Sequence, residues 1–377
     1  MLGDCVLRNP FRYAGAGLYG WSLHDRQLAL LVGANAAVLA TFVIFATSSA
    51  PHAMDGLGPD SFHYLWISKT LYHGWESVHP DPGGQYFAFS HFPFYPIVVG
   101  AVAEVLCLGR VAAGHAVTIA CSSLALVVFY RLAMLRGTTS VLYPLLLIAT
   151  NYEVTLQSIF VSYVPMLMLL VFATFLYLEK EQFGRSALLA GLAQATHIVA
   201  WALLPACLVS SILKGRRARA SFYLSVPAAL GLIFALFWLR SGDFWAFVRY
   251  NAGHPYHRYF PFSTLWYFMT ASAYSIWQKA LVAFSLATMV VGLYLLLRAR
   301  EYGPATLGLL SLLAASSMIP ASCPTGLLRY SMPAMTCLLG FTAMDLEKRR
   351  FALPVIGLLS GLMYAYAFQS VLTYGSP

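Results

Sequence analysis

The sequence predicts an all-α polytopic membrane protein, and three observations carry that prediction. Charged residues make up 10% of the 377 positions, against about 25% in a soluble domain. Hydrophobic residues make up 59%, and the mean hydropathy is +0.69. The apolar residues fall in runs such as 28–48 and 351–372, about 20 residues each, which suits a membrane-spanning helix and is too long for a barrel strand. Only helices or closed barrels satisfy the backbone in lipid, so helices are expected throughout. No segment is long or polar enough for a separate soluble domain. Residues 1–377 read as one integral membrane domain.

The net charge of +9 does not indicate a nucleic-acid partner, because the basic residues come in short clusters between apolar runs. That is the positive-inside pattern. Arg8, Arg12 and Arg26 precede the first run. Arg131/Arg136, Lys180/Arg185, Lys214/Arg216/Arg217/Arg219, Arg298/Arg300 and Lys348/Arg349/Arg350 follow. With all of these cytoplasmic, about eleven crossings result: 28–48, 111–130, 138–158, 160–178, 186–197, 198–213, 220–240, 278–297, 302–320, 331–346 and 351–372. Only Lys69, Arg110, Arg240, Arg249, Arg258, Lys279 and Arg329 then lie outside, and the N-terminus is cytoplasmic. The leader of about 27 residues and the first run of about 21 exceed a signal peptide's proportions, so the first helix is expected to be retained.

Two stretches break the pattern. Residues 93–108 are apolar but short and carry Glu104; a crossing there would invert every later cluster, so a re-entrant or surface-lying helix is expected. Residues 186–213 are long for one crossing and short for two. With the polar Gln194-Ala195-Thr196-His197 in the middle, they read as two short helices meeting at the outer face. The six cysteines (Cys5, Cys107, Cys121, Cys207, Cys323, Cys337) have no paired spacing, which excludes a disulfide framework or a zinc motif.

Two external loops result. The second, 241–277, is rich in aromatics, as a membrane interface favours. The first, 49–110, holds Asp55, Asp60, Glu76, Asp81, His52, His63, His73, His79 and His91. Ionisable residues beside a membrane are costly and mark function, so the chemistry is expected here. Pro59 suits a first helical turn and puts Asp60 at a helix N-terminus, where the dipole favours its ionised form. His63 and Tyr64 follow on the same face, while Phe62, Leu65, Trp66 and Lys69 form a second face suited to headgroups. His91-Phe92-Pro93-Phe94-Tyr95-Pro96 makes a stiff entry to the next segment. Near the other end, Arg329-Tyr330-Ser331-Met332-Pro333 places one arginine at an outer membrane edge. It reads either as a snorkelling anchor or as a planar clamp for phosphate.

Together these three features resemble the GT-C membrane glycosyltransferases, and most nearly the GPI mannosyltransferase II family (PIG-V-like) with its prokaryotic relatives. Pro59-Asp60-Ser61-Phe62-His63-Tyr64 is similar to the family's Trp-Asp-x-x-His-Tyr/Phe stretch, with Pro for Trp. His91-Phe92-Pro93-Phe94-Tyr95-Pro96 is similar to its Phe-Phe-Pro-Leu-Tyr-Pro, and Arg329-Tyr330-Ser331-Met332-Pro333 to its Arg-Tyr-x-x-Pro. Two departures stand out. The family's Tyr-x-Glu has its counterpart in Tyr163-Val164-Pro165, without the acid; Glu153 substitutes only if the fold brings it round. A position where the family often has a basic residue is His197.

The resemblance implies a GT-C-like fold and transfer of a hexose, mannose favoured, from a polyprenyl-phosphate sugar donor. The acceptor is a hydroxyl of a lipid-linked or glycan molecule on the non-cytoplasmic side, and the anomeric carbon inverts. Such chemistry needs a carboxylate within hydrogen-bond reach of the attacking hydroxyl and a cation for the leaving phosphate. Asp60 is the expected base, with Asp55 the alternative. Arg329 and Tyr330 are the expected donor-phosphate residues. His63, Tyr64, His91, Tyr95, Glu153 and His197 are candidates for holding substrate. Asp55 and Asp60 do not form an Asp-x-Asp pair, so no metal is predicted; a divalent metal in the His/Asp loop is the alternative. The rival reading is a transporter or flippase, which calls for ionisable residues at the midplane. Only Glu104 and His115 are candidates for that, and both lie close to the outer loop.

Overall fold

The computed structural model describes residues 23–49, 60–77, 87–253, 262–272, 274–317, 325–344, 346 and 351–374. The expected helices are there. α1 (Leu23–Ser49), α4 (Arg110–Leu135), α13 (Ile276–Arg298) and α16 (Ala352–Tyr374) are long continuous helices, as is the stretch 217–241 that ends in α10 (Ser225–Ser241). Among the described residues these five are long and apolar enough to cross a bilayer singly. The other expected crossings are broken or short. α5 (Leu142–Thr150) passes through an extended Asn151 into α6 (Tyr152–Ile159), whose first turn Asn151 caps through the Glu153 N–H. The chain then turns by 120° into α7 (Val164–Glu179).

The 186–213 region behaves as its polar centre predicts. α8 (Phe183–Thr196) stops at His197, which is extended, and a 3-10 stretch Ile198–Ala202 leads into α9 (Leu203–Leu213). α3 (Phe94–Val105) has 12 residues, about 18 Å of helix, against the roughly 30 Å of a hydrocarbon core. It lies against α2 (Ser61–Thr70) and α4. Arg110 ties the corner, donating to the Ser68 carbonyl at 2.9 Å and pairing with Glu104 at 2.8 Å.

The core is built on α4 and α7, with α5, α8 and the 3-10 stretch Met332–Ala343 around them. α1 is peripheral: Leu30, Ile44 and Phe45 are exposed, while Leu39 is buried. A polar knot fastens it, Asn35 donating to Ser123 and accepting from Tyr364 of α16. Backbones come closest where α13, α14 (Tyr302–Ser317) and Met332–Ala343 meet. A Cβ at Gly292 would meet the Cys337 carbonyl, and one at Gly308 its sulfur. Small residues at such crossings are how membrane helices pack without a hydrophobic drive.

Ion pairs gather the two ends. Arg131–Asp25, Arg136–Glu301, Lys214–Glu179 and Arg216–Glu181 each join two segments that the charge pattern assigns to one side. At the opposite ends of these helices the two expected external loops touch each other. Arg240 meets His73 at 2.6 Å, and Phe92 packs on Phe247 of α11 (Ala246–Gly253). Further along the second loop, α12 (Ser263–Thr270) presents an exposed Trp266 and lies against α14.

Candidate functional site

Five separate parts of the chain converge where α2 begins. Asp60 is the N-cap of α2, yet its side chain makes no capping bond. Its Oδ2 instead accepts from Arg329 Nη1 at 2.5 Å. Arg329 lies on the short α15 (Thr325–Tyr330). Asp60 Oδ1 faces His91 Nε2 at 3.7 Å, and His91 Nδ1 shares a hydrogen bond with Ser90 Oγ at 2.8 Å. The His63 ring stacks on His91 at 4.9 Å, and Tyr64 meets His91 edge-on.

The His91 backbone is fixed from behind. α2 ends in two consecutive left-handed residues, Leu71 (φ 45) and Tyr72 (φ 66). Each such non-glycine residue costs roughly 1–2 kcal/mol, and burial holds them: Tyr72 is fully buried, stacked on Phe89 and edge-on to Phe237. Its hydroxyl donates to the His91 carbonyl at 2.5 Å.

The other wall is the turn between α6 and α7. Ser61 Oγ donates to the Val161 carbonyl at 3.0 Å. Val161 also presses on α4 at Gly114, where any Cβ would clash with its side chain. Tyr95 supports the turn indirectly, through Thr118 at 2.8 Å; Thr118 Oγ1 in turn accepts from the Ser162 N–H at 3.4 Å. Tyr163 stacks flat on His197, 4.3 Å between centroids and 6° between planes, and His197 tilts against Tyr330. The break in α8 thus lies at the same end as Asp60.

Between these walls lies a small cleft, open to solvent on one side, lined by Asp60, Ser61, Tyr64, Gln157, Phe160, Val161, Ser162 and Arg329. The Asp60 side chain is 27% exposed and that of Arg329 16%. Burial would raise the Asp60 pKa, but the Arg329 guanidinium outweighs it, helped by His91 and His63, and holds the carboxyl well below the usual range. The Tyr64 hydroxyl moves the other way, pushed up by burial and then by the Asp60 charge. Arg329 Nε is buried and has no hydrogen-bond partner among the described residues. A donor left so costs about 1–3 kcal/mol or more for a charged group, which makes it a ready contact for an anion.

Of the residues singled out by sequence, Asp60, Tyr64 and Arg329 line the cleft, with His63, His91, His197 and Tyr330 packed around it. Tyr95 is fully buried and acts through Thr118. Glu153 is also fully buried, below the cleft floor. Asp55 lies outside the described residues, as do His52, His79 and Asp81. Among the described residues no group of three or more His, Cys, Asp or Glu is placed to hold a metal ion. Gln157 and Ser162 were missed. Their one signal was polarity inside the apolar runs 138–158 and 160–178, where serine is common enough to pass unnoticed.

No protein-family model and no curated protein matches the sequence. Solved structures do match. ArnT from Cupriavidus metallidurans in the apo state aligns with a TM-score of 0.60 at 16% identity, over 92% of this chain and 76% of that one. ArnT from the same organism bound to undecaprenyl phosphate aligns at 0.58 and 16%, over 93% and 70%. At that identity the likeness speaks to architecture alone: the chain has the all-helical, polytopic fold that ArnT has.

Proposed function

We propose that this protein is a membrane glycosyltransferase that moves a sugar from a polyprenyl-phosphate donor to an acceptor hydroxyl. The observation that carries the reading is the Asp60–Arg329 pair: a buried guanidinium with an unpartnered Nε, beside a carboxylate, in a cleft at one end of the bundle. The fold shared with a protein that binds undecaprenyl phosphate supports it. The finer terms rest on the sequence: mannose as the sugar and a lipid-linked or glycan acceptor on the resemblance, membrane lipids around the site on hydropathy, and a non-cytoplasmic face on the charge pattern.

The geometry supports a role for each residue. Donor phosphate binds Arg329 through its free Nε and a rotated Nη. That contact weakens the guanidinium's hold on Asp60. A carboxylate relieved of its cation rises in pKa and becomes a better base. Asp60 then takes the proton of the acceptor hydroxyl as its oxygen bonds to the anomeric carbon. The bond from that carbon to the phosphate oxygen breaks, and Arg329 holds the departing polyprenyl phosphate. One displacement inverts the carbon. His91, fixed by Ser90 and Tyr72, keeps Asp60 aimed while Arg329 is occupied. The test is purified protein in liposomes with labelled undecaprenyl-phosphate mannose and a membrane-extract acceptor. Transfer by wild type and none by Asp60→Asn is expected; equal transfer by both would remove the reading.

A further inference from the structure

A buried chain of polar side chains runs from the cleft into the bundle, and the reaction just described gives it no task. Ser162 Oγ donates to Gln157 Oε1 at 2.7 Å, and Gln157 Nε2 donates to Glu153 Oε2 at 3.0 Å. Ser162 and Gln157 line the cleft and are 4% and 5% exposed; Glu153 is fully buried. Polar groups this deep in a membrane protein are costly unless they serve something.

The chain has a direction. The Gln157 amide nitrogen faces Glu153 Oε2 and donates to it, as it must when Glu153 is ionised. Turned over, Gln157 would set its oxygen against the carboxylate. The amide oxygen therefore points at Ser162 and takes its only proton. Ser162 Oγ also accepts from the Val164 N–H at 3.3 Å. What remains for the cleft is a lone pair. Ser162 can receive a hydrogen bond from a ligand and cannot give one, so it favours a hydroxyl over a second phosphate oxygen or an ether. Arg329 lines the same cleft, so a phosphate held there brings its attached sugar into it.

We propose that Ser162 reads one hydroxyl of the donor's sugar, with Gln157 and Glu153 as positioning residues that set its polarity. The inference rests on the reading of the cleft as a donor site. The test compares affinity for undecaprenyl phosphate with affinity for undecaprenyl-phosphate mannose, in detergent and without acceptor. Ser162→Ala and Glu153→Gln are expected to shrink the advantage of the sugar-bearing ligand about three- to tenfold, the worth of one neutral hydrogen bond. Affinity for undecaprenyl phosphate, read on the same preparation, should stay within twofold, which also reports that the variant is folded. Wild type should bind one deoxyfluoro-mannose derivative more weakly than the parent, since fluorine cannot donate, and this arm needs no variant. An unchanged sugar advantage in both variants, or equal binding of every deoxyfluoro derivative, overturns the inference and leaves the donor reading standing. Should Arg329→Ala leave the affinity for undecaprenyl phosphate unchanged, the donor reading falls and takes this inference with it.

Discussion

Asp60 and Arg329 are each other's resting partner, and that makes their variants separable. Asp60→Asn costs no helix cap, because the side chain is not capping. It should lower transfer about 10²–10⁴-fold, the usual worth of a positioned base. It should also bind undecaprenyl phosphate at least as tightly as wild type, since the guanidinium is freed; a calorimetric titration reads this. Asp55→Asn should cost much less. Arg329→Lys keeps the charge but not the planar fork, so donor affinity should fall although charge is conserved. Normal use of donor by the lysine variant would reduce Arg329 to an anchor. The pair also has an acid limit. Asp60's folded pKa is depressed, so its contribution to stability is complete above the unfolded value, about 3.9, and is lost as pH falls toward the folded one. Thermal melts should show wild type above Asp60→Asn at pH 5–7 and the gap closing below about pH 4. These residues were legible in the sequence because a membrane protein has few reasons to keep Asp, His and Arg at its surface. Gln157 and Ser162 were not, since their meaning comes from a 120° turn that brings a helix interior to face a loop.

At the scale of elements, hydropathy read the long helices well and the broken ones in part. The stop at His197 was marked by a polar stretch in an apolar run. The shortness of α3 was legible from topology, because a crossing there would have inverted every later charge cluster. Asn151 gave no such mark: one asparagine ends α5 and caps α6, and a single capping residue does not interrupt a run of high hydropathy. Packing between elements was hidden too. Gly292 is mid-helix, where alanine ordinarily gains about 1 kcal/mol. Here its Cβ would land on the Cys337 backbone, which cannot step aside as a flexible side chain can. Overpacking of this kind costs about 1–3 kcal/mol, so Gly292→Ala should lower the melting temperature. Gly231→Ala, in α10 with open space around it, should raise it or leave it unchanged. The reverse order would mean that α13 is loosely seated.

At the scale of the whole molecule, the two ends of the bundle differ in kind. One is tied by ion pairs between neighbouring segments, from the exposed Arg216–Glu181 to the largely buried Arg136–Glu301. The other holds the cleft. Charge bias places the first end in the cytoplasm, a proposal open to labelling. With Cys5, Cys107 and Cys323 replaced by Ser, Gly83→Cys should react with a membrane-impermeant maleimide from outside intact cells, and Ala218→Cys only after the membrane is opened. The opposite result would invert the topology. The span of the Asp60–Arg329 contact has a consequence for biosynthesis. The partners are 269 positions apart, and a ribosome adding about 5–20 residues per second takes roughly 13–54 s to cover that distance. For that interval the first loop is already in place with its carboxylate uncompensated and its cleft missing one side. A nascent chain interrupted anywhere before α15 has most of its helices and an incomplete cleft, so the cleft is finished late in synthesis and abruptly, with the arginine that closes it.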